Sequence, residues 1–139
     1  MIASQRQGKI AVLKNTLLAA AFALYLGGSS AALAHHSAAM FNHEVVLTLK
    51  GTVTRFEYVN PHSWLYVNVE NDDGSVTEWG FELDAPPRLR RIGISPNFWQ
   101  PGDIVTVKTN PLHDGRPAGS LAGAVSADGK TFGNVEGIE

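Results

Sequence analysis

Between Val45 and Tyr58 the apolar residues alternate along the chain and then change sides. Val45, Leu47, Leu49 and Val53 share one parity, Phe56 and Tyr58 take the other, and Gly51 interrupts the run. A strand that switches faces near a glycine has bent or bulged, as long strands do where a sheet closes on itself. This argues for a barrel rather than a flat sheet.

The following segments extend that reading. Leu65, Val67 and Val69 alternate with Trp64, Tyr66 and Asn68, which predicts a strand over 64–70. Asn71-Asp72-Asp73-Gly74 is a hairpin turn, and Trp79, Phe81 and Leu83 then alternate with Glu78 and Glu82, so the first set should face the core. Pro86-Pro87 breaks the pattern and opens a short helix closed by Gly93, with Leu89 and Ile92 inward and Arg88, Arg90 and Arg91 solvated. Further strands are expected over 104–109 and 119–126, and residues 133–139 should fray. Three strands, a short helix and two or three more strands predict an all-β fold: a small OB-like, five- to six-stranded antiparallel Greek-key barrel. An open antiparallel sheet capped by the helix is the alternative.

The N-terminus carries a different signal. Arg6, Lys9 and Lys14 precede an apolar run from Leu17 to Leu26, and Ala32-Leu33-Ala34 follows as a small-residue cleavage site. That order predicts a signal peptide over 1–34, export to the periplasm and a single β-rich domain over 35–139. The run is shorter than the ~20 residues a membrane span needs, so no stable insertion is expected after cleavage. With no cysteine in the chain, its core must hold it without disulfides. Removing the three leader cations leaves 13 Asp+Glu in excess of what remains of 11 Lys+Arg. An acidic chain argues against nucleic acid as a partner.

Cleavage after Ala34 makes His35 the first mature residue, followed by His36 and Ser37. An N-terminal histidine offers its α-amine and ring Nδ1 as a six-membered chelate. A third nitrogen would complete a planar set, which favours Cu(II) over zinc. His62, in the Asn60-Pro61-His62-Ser63 turn, is the expected third donor, with His36 or His113 as an optional fourth. The common amino-terminal copper and nickel motif needs histidine third, where Ser37 stands. The alternative is that the terminal histidines are solvated and His62 merely hydrogen-bonds its own turn. Trp64 and Tyr66 are candidates for a ligand- or partner-stacking surface, with simple packing as the competing role. Arg88, Arg90 and Arg91 could grip an acidic partner, although such charge runs are commonly just solvated. No nucleophile elbow, phosphate loop or metalloprotease helix is present, so no catalytic residue is assigned.

At His35-His36-Ser37, Phe41, Leu49-Lys50-Gly51-Thr52-Val53, Val59-Asn60-Pro61-His62-Ser63-Trp64, Trp79-Gly80-Phe81-Glu82-Leu83 and Pro101-Gly102-Asp103 the chain resembles a bacterial family of small exported proteins of unknown function. The resemblance implies a single periplasmic β-rich domain. His35, His36 and His62 fall on the family's pattern, whereas His43 and His113 do not. Three functions remain open at this point. One is a non-catalytic periplasmic binding or accessory domain that holds copper. Another is a metal-free subunit of a larger periplasmic complex that docks through Trp64, Tyr66 and the arginine helix. The last is a copper-dependent oxidative enzyme.

Overall fold

The computed structural model describes residues 39–138. Its elements are β1 (Leu47–Glu57), β2 (Trp64–Glu70), β3 (Val76–Glu82), helix α1 (Pro86–Arg91), β4 (Ile104–Pro111), β5 (Ala118–Ser126) and β6 (Thr131–Gly133). The strands lie in the order β3-β2-β1-β4-β5-β6, and β3 also pairs with β5. That extra pairing closes a five-stranded barrel, and β6 extends β5 outside it. Every other ladder is antiparallel, but the closing β3–β5 pairing is parallel, with Gly80, Phe81 and Glu82 opposite Ala118, Gly119 and Ser120.

The change of parity in β1 has the expected cause at a slightly different place. The register shifts between Val53 and Arg55, so Thr54 is the inserted residue. Gly51 serves a close approach instead: a Cβ there would lie 2.2 Å from the Asn68 carbonyl oxygen and 2.7 Å from a Val67 methyl. The glycine lets β1 and β2 approach just before the bulge turns the strand.

The alternating residues fill the barrel. Val53, Leu65, Val67, Phe81, Val105 and Val107 are buried on its inner face, and Leu89, Ile94 and Trp99 plug one end. Trp79 shares their parity but is half-buried, packed against the edge of this cluster. Val45 and Val46 precede β1 and are exposed.

One inward residue of the helix differs from expectation. Leu89 is fully buried, but Ile92 is 57% exposed and Ile94 takes the buried place. Ile92 is the C-cap, and Gly93 reverses the chain at φ +87. Gly93 N–H then bonds the Arg90 carbonyl at 3.1 Å and Ile94 N–H the Leu89 carbonyl at 2.9 Å. This is a Schellman closure, whose apolar contact joins the residue after the glycine to the last helical turn. Helical spacing cannot be carried past a left-handed glycine.

The tail is also better tied than a frayed end. Asn134 N–H bonds the Ala122 carbonyl at 2.9 Å, and Lys108 Nζ donates to the Glu136 carbonyl at 2.6 Å.

Candidate functional site

His62 sits in the connection from β1 to β2, and the hairpin register fixes its position. Trp64 lies opposite Glu82, and the ladder runs one step further. Leu83 N–H bonds the Ser63 carbonyl at 2.8 Å, and Ser63 N–H bonds the Asp84 carbonyl at 3.3 Å. Ser63 thus bonds two successive residues, and His62 stands just beyond the end of the ladder with Glu82 and Asp84 beside it. From the other side, the hydroxyl of Tyr58 shares its one proton between the carbonyls of Pro86 at 2.9 Å and Ile94 at 3.1 Å, beside the two ends of α1. The Asn60–Pro61 peptide between these anchors is cis.

The His62 ring meets a partner that sequence reasoning treated only as part of a wet acidic face. Its Nδ1 is in contact with Glu82 Oε1, and the Glu82 side chain is only 10% exposed. The connection from Glu70 to Val76 spans 71–75, one residue more than the 71–74 turn read from the sequence, so the register that sets Trp64 opposite Glu82 was not legible beforehand. His62 and Glu82 line an open cleft of ≈ 150 Å³ with Asp84, Ser120, Leu83, Leu121 and Phe132. One wall comes from the β2–β3 hairpin and the other from β5 and β6. Asp84 also accepts from Arg88 Nε at 3.1 Å.

Other candidates fall elsewhere. His35 and His36 lie outside the described residues. His113 is exposed in the connection from β4 to β5, its N–H bonded to the Met40 carbonyl at 3.0 Å, and it does not line the His62 cleft. Among the described residues, no group of three or more His, Asp or Glu side chains is arranged to hold a metal ion. Phe41 is buried and bridges to Leu112, so the chain entering from the N-terminus is stitched to this same connection.

Trp64 and Tyr66 stack at 6.3 Å between ring centroids and 25° between planes, over Gly80. The Arg55 guanidinium lies 3.4 Å from the Tyr66 ring centre and donates from Nη1 to both Glu78 oxygens, at 2.9 and 3.0 Å. Tyr66 is thus covered on one face rather than offered as an open platform. Arg88, Arg90 and Arg91 are all exposed.

Arg55, with help from the Thr54 hydroxyl, holds the Glu78 carboxyl below its ordinary range. A depressed carboxylate adds stability above its unfolded-state value and loses it as the pH falls through the folded value. Glu78→Gln is accordingly expected to leave stability unchanged at acid pH and to lower it at neutral pH by the same small amount that flattens the acid limb, since exposed pairs contribute little. Urea unfolding at neutral and acid pH measures both.

Among the described residues, no helix is long and apolar enough to cross a membrane. One family model, described as "Family of unknown function (DUF6152)", matches residues 24–122. No curated protein and no solved structure matches the chain.

Proposed function

The chain belongs to this family of unknown function, and from its own residues we propose that it is an exported, periplasmic, non-catalytic binding or accessory domain that holds copper between its mature N-terminus and His62. The α-amine and Nδ1 of His35 form the chelate, and His62 supplies the third nitrogen from the barrel rim. His36 is an optional fourth donor. A set of nitrogens in one plane suits Cu(II).

The observation that carries this reading is the fixed His62 ring, anchored through Ser63 and partnered on one nitrogen by Glu82.

Titration of the purified chain beginning at His35 with Cu(II) tests the proposal. Tight one-to-one binding is expected, weakened more than about 10-fold by His62→Ala, as loss of a direct ligand should exceed loss of an outer partner. Micromolar or weaker binding, indifferent to His62→Ala, would reduce the terminal histidines to a loose tail.

A further inference from the structure

A neutral imidazole carries one proton, and the nitrogen that holds it cannot bind a metal. Which nitrogen is free depends on what the other one meets. In His62 the Nδ1 edge faces the Glu82 carboxylate, a group that only accepts hydrogen bonds when ionised. Glu82 is itself fixed, as a ladder residue opposite Trp64 on one side and Ser120 on the other. Its side chain is nearly enclosed while the ring it meets is 38% exposed.

Resting on the copper reading for its purpose, we propose that Glu82 is the positioning residue of this site: it keeps the proton of neutral His62 on Nδ1 and so presents Nε2 as the donor nitrogen. The carboxylate sets both the tautomer and the ring's orientation. The opposite tautomer would place a lone pair against the carboxylate and leave Nε2 without one. Glu82 therefore decides whether His62 can ligate at all, without touching the metal. It also explains why a carboxylate is nearly enclosed at the rim of a barrel.

The tautomer can be read without metal. In the metal-free chain beginning at His35, long-range proton–nitrogen correlation spectra of ¹⁵N-labelled protein, recorded where the ring is neutral, should show His62 with its proton on Nδ1. In Glu82→Ala the proton should move in large part to Nε2, and Cu(II) affinity should fall about 10–100-fold, the usual effect of losing such a partner. Glu82→Gln, which keeps the shape and removes the charge, guards against a folding defect: its Nδ1-protonated share should drop below that of wild type, and its affinity loss should be smaller than that of the alanine variant. A wild-type ring protonated on Nε2, or a tautomer unchanged in both variants, overturns the proposal. If wild type binds copper only loosely, the copper reading fails while the tautomer result still decides the role of Glu82.

Discussion

Trp99→Ala is expected to cost about 3–5 kcal/mol, a large share of the roughly 5–15 kcal/mol that holds a domain of this kind together. Trp99 is 1% exposed and stands among three rings, meeting Phe98, Phe56 and Phe132 at centroid distances of 4.7, 5.1 and 5.9 Å, all edge to face. Those rings come from the β4 approach, from β1 and from β6. Truncation therefore empties a position that joins separate parts of the barrel. Trp99 Nε1 has no hydrogen-bond partner among the described residues, and a buried donor left unmade costs about 1–3 kcal/mol. Trp99→Phe removes that donor while keeping a ring, so its net effect should stay within about 1.5 kcal/mol. Urea midpoints for the two variants measure the contrast. Equal losses would show that ring packing is not what holds this end.

The second large effect belongs to the N-terminus. A chain that begins at Ala32 instead of His35 should lose more than about 100-fold in Cu(II) affinity, beyond the 10–100-fold typical of an outer partner. The extension turns the His35 α-amine into a peptide nitrogen and would abolish the proposed chelate without changing any residue from His35 onward. Three residues are needed, because one or two would bring a histidine to third position and create the amino-terminal motif that Ser37 excludes. Isothermal titration of the two chains decides it, and N-terminal sequencing of the protein made by its native host shows which start occurs naturally. Equal affinity would remove the terminal chelate from the site.

Much of the barrel was legible because alternation has a short period and the turns are punctuated. The inner faces of β2 and β3 follow directly from Leu65, Val67, Val69, Phe81 and Leu83, and the bent β1 from its change of parity. What was hidden depends on geometry beyond a single element. Ile92 was misplaced because a left-handed glycine ended the helical period. The bulge fell at Thr54 because a parity change marks a region and not a residue. The parallel closure between β3 and β5 joins segments far apart in sequence and leaves no local trace. At the candidate site, His62 stood out by residue type, whereas Glu82 looked like any solvent-facing glutamate until the fold placed it against the ring. Arg55 over Tyr66 was hidden for the same reason.

The closing ladder has a consequence for the cleft beside His62. β3 and β5 are joined through only three residue pairs, yet the two walls of the cleft belong to opposite sides of that join. Short ladders with few rungs are where a folded chain opens first on the way to larger fluctuations. Any molecule gripping both walls would act as an added rung, slowing amide exchange in Phe81 and Glu82 together with Gly119 and Ser120. Occupancy of the slot would thus be readable as rigidity along the barrel's weakest zip.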